Sequence, residues 1–184
     1  MKKVTLGPQT FLYPLPALLV GTKVDDTPNF MTAAWCAIAA SKPAAASVAI
    51  RKDRHTLKGV EQQGTFSLNV PSAALAKKVD YCGIYSGKKR DKSHIFQIFY
   101  GVLKTAPLVQ ECPVNLECKV IHSLDLGSHN LIVGEIIETH VSESCVTDGK
   151  PNPKMIDPLI YAAGTSEYYR FGDIIGKAFN IGKD

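Results

Sequence analysis

Val114-Asn-Leu-Glu-Cys-Lys-Val120 alternates apolar and polar residues at almost every position. A period of two is typical of a strand with one buried face. The alternation predicts two faces, with Val114, Leu116, Cys118 and Val120 inward and Asn115, Glu117 and Lys119 outward. Asp125–Asn130 has turn character, and Leu131–Val141 is apolar enough for a long return strand. The two segments therefore predict a hairpin of an antiparallel sheet.

Prolines and glycines divide the rest of the chain into short segments. Further strands are predicted at Pro16–Thr22, Phe30–Ala39, Ala44–Ile50, Thr65–Val70 and Leu159–Ala163. The period of Phe30–Ala39 also fits a helix, but the turn before it and Lys42-Pro43 after it favour a strand.

Two segments have helical character. Asp53–Gln63 has Asp53 as its expected N-cap and Gly64 at its expected stop, and Ser72–Val79 begins with a capping serine and is rich in alanine. Many short strands, two modest helices and no regular strand–helix alternation predict a mainly β fold. We expect a closed or partly closed antiparallel barrel with attached helices, and not a doubly wound parallel sheet.

Composition limits the class of protein. The 184 residues are 45% hydrophobic and 21% charged, with a net charge of +4, which fits one globular domain over residues 1–184. No apolar run approaches the ~20 residues that cross a bilayer, so no membrane association is expected. The odd number of cysteines, five, excludes a complete disulfide framework. With no secretion signal, this favours a cytoplasmic protein.

Two basic clusters are candidate anion sites. Arg51–Thr56 lies between a strand end and a helix start, where unpaired backbone N–H groups attract a phosphate; a solvated charged turn is the alternative. Lys88–Lys92 follows Ser86-Gly87 but lacks the spacing of a phosphate loop, which favours a flexible lysine-rich loop. Neither cluster contains an aromatic residue for base stacking, so nucleic acid is not an expected partner.

The chain lacks the common signatures of self-contained chemistry. It has no C-x-x-C, H-E-x-x-H or G-x-S-x-G motif, and no G-x-G-x-x-G of a Rossmann nucleotide site. No metal ligand set and no nucleophile are therefore expected. A small β-barrel with an anion site fits a protein whose reactivity comes from a bound phosphorylated cofactor.

The order of several motifs resembles the flavin reductase-like, FMN-binding split-barrel family, in particular its flavoredoxin type. These motifs are Pro14-x-Pro16, Pro28-Asn-Phe-Met-Thr32-Ala-Ala-Trp35, Arg51–Thr56, Phe66-x-x-Asn69-Val-Pro71, Cys82-Gly83, Ser86-Gly87, Asp91-Lys92 and Gly127-Ser-His129 followed by Leu131-Ile-Val-Gly134-Glu-Ile136. Each motif alone is weak, but their order and spacing are specific over about residues 12–172.

The resemblance implies a six-stranded Greek-key barrel that forms a homodimer, with one FMN per subunit near the interface. The implied cofactor-binding residues are Asn29, Met31, Thr32 and Trp35 at the isoalloxazine ring, Arg51, Lys52, His55 and Thr56 at the phosphate, and Lys92 and His129 in the flavin cleft. Lys92 is expected near the N1/C2 edge of the ring, and His129 can come from the neighbouring subunit. Since the chemistry takes place on FMN, no catalytic side chain is expected.

The resemblance leaves the function open between two classes. The first is an FMN-binding oxidoreductase that passes electrons from NAD(P)H to free flavin, ferric iron or a protein. The second is a flavoredoxin-like electron carrier with no small-molecule substrate of its own, which implies a redox partner protein. From the residues alone, a basic binding protein without a cofactor is a third alternative. The sequence does not distinguish NADH from NADPH.

Overall fold

A computed structural model describes residues 1–183. Its strands are β1 Leu15–Pro16, β2 Leu18–Val24, β3 Thr27–Ala33, β4 Cys36–Ser41, β5 Ala44–Arg51, β6 Thr65–Val70, β7 Ile98–Phe99, β8 Leu108–Val109, β9 Val114–Asp125, β10 His129–Val141, β11 Val146–Thr147, β12 Lys150–Pro151, β13 Ile160–Ala162 and β14 Glu167–Tyr169. Its helices are α1 His55–Gln63, α2 Ala76–Ile84 and α3 Pro153–Ile156. The mainly β fold with short helices is confirmed.

One antiparallel sheet dominates the fold, with seven strands in the order β3-β2-β6-β9-β10-β5-β4. The two outer strands, β3 and β4, are consecutive in the chain and are joined only by Ala34 and Trp35. The sheet must therefore curl until its two edges lie close together. The Ala49 amide of β5 donates to the Trp35 carbonyl at 2.9 Å, which ties this junction to the far side of the sheet.

The junction also changes the strand count. The segment Phe30–Ala39, predicted as a single strand, is the end of β3 and the start of β4, because each half pairs with a different neighbour. The sheet consequently has seven hydrogen-bonded strands, where the family resemblance implies six.

The β9–β10 hairpin is confirmed, with Asn130 opposite Asp125 and Val141 opposite Val114. The predicted facing of β9 is wrong at Asn115 and Glu117, which are 4% and 0% exposed. Asn115 donates to the Asn69 side chain at 2.8 Å. Segments that pack over this face of the sheet supply both side chains with hydrogen-bond partners, so their burial is not costly.

Glu117 anchors the segment before β8. Its carboxylate accepts hydrogen bonds from the Val102 amide at 3.0 Å, from the Leu103 amide, and from His140 Nε2 at 2.8 Å. Burial acts to raise the pKa of Glu117, but these hydrogen bonds together hold it below its ordinary value. An added Cβ at Gly101 would lie 1.9 Å from Glu117 Oε1, so this close approach requires glycine.

Helix α1 begins and ends near the predicted positions, whereas the second helix extends to Ile84, five residues past its predicted end at Val79. Helix α1 is capped by Arg54 with no side-chain hydrogen bond. The predicted cap, Asp53, lies one residue before the observed N-cap, and its carboxylate binds Arg51 at 2.8 Å. Gly64 ends α1 in the left-handed conformation at φ 62°, as predicted. The second predicted helix is a 3-10 turn over Ala73–Leu75 that continues into α2.

Two clusters of buried residues form the core. The larger fills the curled sheet under α1, with the buried members Leu18, Val20, Met31, Ala33, Ala46, Val48, Ile50, Leu57, Val60, Phe66, Leu68, Cys118 and Ile132. The smaller lies beneath α2, with Ala17, Leu19, Phe30, Val79, Cys82, Phe96, Val109, Cys112 and Leu159. Among residues 1–183, no helix combines the length and the hydropathy that a membrane crossing needs.

Candidate functional site

A cavity, called the first cavity below, lies where the sheet edges meet. Its volume of about 800 Å³ is within the roughly 300–1,000 Å³ range of small-molecule sites. The chain segments that line it are Met31–Trp35, Ala49, Arg51–Arg54, Gly127–His129, and parts of α2, β13 and β14. The β3–β4 junction, the start of α1 and the β9–β10 turn thus converge on one space.

One side of the first cavity is cationic. Arg51 binds Asp53 at 2.8 Å, and Lys52 binds Asp125 at 2.7 Å, with all four side chains largely exposed. The hydrogen bond from Lys52, followed by that from the Gly127 amide, lowers the pKa of the Asp125 carboxyl. Exposed ion pairs of this kind are weak, so a ligand anion can take over either cation at little cost.

Arg54 adds a third cation at the start of α1. Its Nη1 donates to the Gly83 carbonyl at 3.0 Å, which joins the start of α1 to the end of α2. Since α1 has no side-chain cap, the N–H groups of its first turn add partial positive charge beside these cations. This side of the cavity suits a phosphate.

A second side of the first cavity is aromatic. The Trp35 and His129 rings lie 4.7 Å apart between centroids and 30° from parallel. Trp35 is 41% exposed, a large exposure for tryptophan, and His129 Nδ1 is 2.8 Å from the Ser128 hydroxyl. A planar aromatic ligand would cover both rings and remove their apolar faces from water.

The third side comes from the C-terminal strands. Tyr168 donates its hydroxyl to the Asp80 carboxylate of α2 at 3.1 Å, and its ring lies 5.7 Å from that of Tyr161. Burial, followed by the hydrogen bond to Asp80, raises the pKa of Tyr168. This pair holds β13 and β14 against α2 and so completes the cavity wall.

A smaller space of about 470 Å³, called the second cavity below, lies between the start of β3 and the loop that follows α2. It is lined by Val24, Asp25, Thr27, Pro28, Asn29, His55 and Gly87–Lys92. Asn29 Nδ2 donates to Thr56 Oγ1 at 2.7 Å, and both residues are buried. Thr56 lines neither cavity and instead holds the floor of the second one.

Lys92 is buried beside the second cavity, with 2% of its surface exposed. Its Nζ donates to the carbonyls of Tyr85 at 3.0 Å and Cys82 at 3.4 Å, at the C-terminal end of α2. A cation there complements the negative end of the helix dipole. Burial nevertheless lowers the pKa of Lys92.

The structure divides the ten predicted cofactor-binding residues between these places. Met31, Thr32, Trp35, Arg51, Lys52 and His129 line the first cavity. Asn29, His55 and Lys92 line the second, and Thr56 lies beneath it. The motifs therefore meet in one region, but not around one space.

Sequence reasoning missed several residues of the first cavity. Arg54 belonged to a recognised basic cluster, and its position directly before α1 was the available signal. Asp80, Tyr161 and Tyr168 carried no signal, because only tertiary packing brings α2 against β13 and β14.

Fold and site together define a protein of the flavin-binding split-barrel class. The chain belongs to the family of the flavin reductase like domain, whose model matches residues 10–170.

Three proteins of known structure or known activity are similar to this chain in sequence. A flavoredoxin from Methanosarcina acetivorans is 38% identical, with a TM-score of 0.97 over 100% of this chain and 98% of that chain. A flavoredoxin of Desulfovibrio vulgaris (Miyazaki F) is 41% identical, with a TM-score of 0.92 over 100% of both chains. An NAD(P)H ferric-chelate reductase from Archaeoglobus fulgidus is 31% identical over 104 residues, 55% of this chain and 60% of the reductase.

Proposed function

We propose that the protein binds FMN in the first cavity and passes electrons from NAD(P)H through it to an acceptor, either free flavin, ferric iron or a protein. One observation carries the proposal. The first cavity combines a cationic side at the start of α1 with an aromatic side at Trp35 and His129. A phosphorylated planar ring is the ligand that needs both.

The residues present fit this cofactor. Arg51, Lys52 and Arg54, in the segment that leads into α1, supply donors for a phosphate. Met31, Trp35 and the Ala33–Ala34 backbone supply apolar surface for a ring. When bound, FMN supplies the redox chemistry that the side chains lack.

The chain's own residues bind and orient the cofactor and exclude water. Trp35 and His129 offer aromatic surface to the proposed ring site, and the hydrogen-bonded Asp80 and Tyr168 form another part of the lining. The Thr32 hydroxyl donates to the Val79 carbonyl, which fixes β3 against α2 and keeps this side of the cavity rigid. No side chain is required as an acid, base or nucleophile.

A flavoredoxin-like electron carrier is the second candidate function. The observation that favours it is the likeness to two flavoredoxins over the whole chain, at 38% and 41% identity. Such a carrier binds FMN in the same cavity but exchanges electrons only with a partner protein.

Two measurements test this proposal. The purified protein, titrated with FMN, is expected to show bound-flavin absorbance, and a protein that stays colourless contradicts both candidates. Anaerobic stopped-flow mixing with NADH and with NADPH then separates them. Fast bleaching supports the reductase, whereas bleaching only by a reduced partner protein supports the carrier.

We also propose a cytoplasmic homodimer. All five cysteines are free thiols, which suits a reducing compartment.

The exposed surface supports the dimer. Large apolar side chains are exposed on edge strand β4 at Ile38 and on the β9–β10 hairpin at Ile121 and Leu124. Covering them in a dimer would remove apolar area from water beside the first cavity. Light scattering of the protein and of Ile38→Glu tests this, since the variant is expected to be monomeric.

A further inference from the structure

Helix α2 has an outward face that the proposed FMN site does not use. Lys77, Tyr81 and Ile84 are spaced four and three residues apart, so they share this face, called the outer face of α2 below. The opposite face, with Val79 and Cys82, is buried in the smaller core cluster. Ile84, at the end of the outer face, is 63% exposed. The outer face of α2 is therefore accessible to a partner.

An aromatic platform extends the outer face beyond the end of the helix. The Tyr81 and Tyr85 rings lie 4.5 Å apart between centroids. The Arg90 guanidinium lies 4.2 Å from the centre of the Tyr85 ring, within the range of a cation–π contact. Tyrosine and arginine are enriched at the centres of protein interfaces, so this platform beside Ile84 has the composition of a docking site.

The free charges around the platform are positive. Lys77 and the three residues Lys88–Arg90 are exposed, and within residues 1–183 none of the four forms a salt bridge. The carboxylates beside them in the chain are engaged. Asp80 accepts from the Tyr168 hydroxyl at 3.1 Å, and Asp91 accepts from the backbone amide two residues further on at 2.8 Å. Unpaired cations around an apolar centre attract an acidic partner and repel a basic one.

Two further observations limit the kind of partner. The whole chain has a net charge of +4, which disfavours a second copy of it as the occupant of a basic surface. Asp80 and Gly83, on the same helix, line the first cavity. A partner on the outer face of α2 would therefore lie about one helix diameter, roughly 10 Å, from that cavity. This proximity suits a protein that exchanges electrons with a cofactor bound there.

We propose that the outer face of α2 and the cations Lys88–Arg90 form a docking surface for a small acidic electron-transfer protein. The inference rests on the proposed function, because that function includes a protein as electron acceptor or redox partner. The exposed cations at the rim steer the acidic partner as it diffuses towards the surface. Ile84 and the two tyrosine rings are then removed from water by the contact.

Isothermal titration with an oxidised plant-type [2Fe–2S] ferredoxin, a small acidic electron carrier, tests the surface. Binding is expected at low ionic strength and is expected to weaken as salt screens the charges. The same ferredoxin with its surface carboxylates amidated is expected to bind more weakly by about tenfold or more. No binding of the unmodified ferredoxin, or equal binding of the amidated form, overturns the proposal.

Two substitutions separate the charge from the apolar contact. Lys77→Glu is expected to weaken ferredoxin binding by about three- to tenfold at low salt and by less at high salt. Ile84→Ser is expected to weaken it by about five- to tenfold at both salt concentrations, since that loss comes from apolar contact. Neither residue lines a cavity, so both variants are expected to bind FMN as the unmodified protein does.

Matched controls carry similar changes elsewhere on the surface. Lys119 on β9 is exposed, and Val102, before β8, is 60% exposed. Lys119→Glu and Val102→Ser lie outside α2 and the aromatic platform, and each is expected to bind ferredoxin within about twofold of the unmodified protein. Losses as large as those of Lys77→Glu and Ile84→Ser would show a general attraction of charges without a docking surface, which overturns the proposal.

The outcomes keep this surface separate from the proposed function. A protein that binds no flavin refutes the proposed function, while ferredoxin titration of that same flavin-free protein still decides the docking surface. FMN binding without ferredoxin binding refutes the docking surface alone. Sedimentation with phosphatidylserine vesicles, in a protein that does not bind ferredoxin, would assign the surface to a lipid and also overturns the proposal.

Discussion

The two cavities differ in how their cations are balanced. In the first cavity Arg51 and Lys52 are exposed and paired with carboxylates. In the second, Lys92 is buried without a carboxylate, beside three exposed cations that form no salt bridge within residues 1–183. The charges of Arg51 and Lys52 are therefore already balanced, whereas the buried Lys92 would gain more from a bound anion.

The largest expected effect of a single substitution is on FMN affinity. Arg51→Ala removes a charge-assisted hydrogen bond to the proposed phosphate and is expected to weaken FMN binding by about 1–3 kcal/mol. Fluorescence titration measures it. Riboflavin, which lacks the phosphate, serves as the control ligand and is expected to bind both proteins equally. Unchanged FMN affinity would show that the phosphate does not lie at this cation.

A pair of glycines compares the packing at the two cavities. Gly87→Ala places a Cβ 2.1 Å from Asn29 Oδ1 and is expected to destabilise the protein by about 1–3 kcal/mol, the usual cost of overpacking. Gly83, in α2, is the matched control because its added Cβ would be 3.4 Å from Thr32 Cβ, an ordinary contact. Gly83→Ala is expected to be neutral or to stabilise the helix by about 0.5–1 kcal/mol.

Urea unfolding of the two glycine variants measures both changes. Equal stabilities would mean that the Gly87–Lys92 loop shifts easily to accept the added methyl group. The contrast in packing between Gly87 and Gly83 would then not hold.

The sequence predicts those features of the fold that depend on a local pattern of residues. The β9–β10 hairpin follows from alternation, and the end of α1 follows from Gly64. The burial of Glu117 does not follow from any local pattern, because its partners Val102 and His140 lie 15 and 23 residues away. The alternation in β9 predicted an exposed Glu117, whereas hydrogen-bond donors that are distant in the sequence satisfy its carboxylate in a buried position.

The candidate site shows the same limit. Its residues are recognisable by motif, but the placement of Asn29 and Met31, two residues apart on β3, at different cavities is not. The lining of the first cavity also includes Arg54 and Gly83, which meet only after α1 and α2 have packed against the sheet. Sequence therefore identified the residues of the region and not the division into two spaces.

A smaller effect is expected at the aromatic side of the first cavity. Trp35→Ala removes one ring of the Trp35–His129 pair and is expected to weaken FMN and riboflavin equally, by about 0.5–1.5 kcal/mol. The equal loss distinguishes a ring contact from the phosphate contact of Arg51. A loss confined to FMN, measured by the same titrations, would place Trp35 away from the ring.

The smallest expected effect concerns pH and the buried cation of the second cavity. Because burial lowers the pKa of Lys92 in the folded protein, the unfolded chain binds the proton more tightly as pH approaches the ordinary lysine value of 10.5. The free energy of unfolding contributed by Lys92 must therefore rise with pH in that window. Lys92→Met cannot titrate, so the stability of the unmodified protein relative to this variant is expected to increase between neutral pH and 10.5. Denaturant unfolding of both proteins at several pH values measures the difference, and adding phosphate is expected to flatten its rise, since a bound anion stabilises the charged lysine. A difference that falls with pH would mean that the carbonyl oxygens of Tyr85 and Cys82 already balance the charge, which would remove the main contrast between the two cavities.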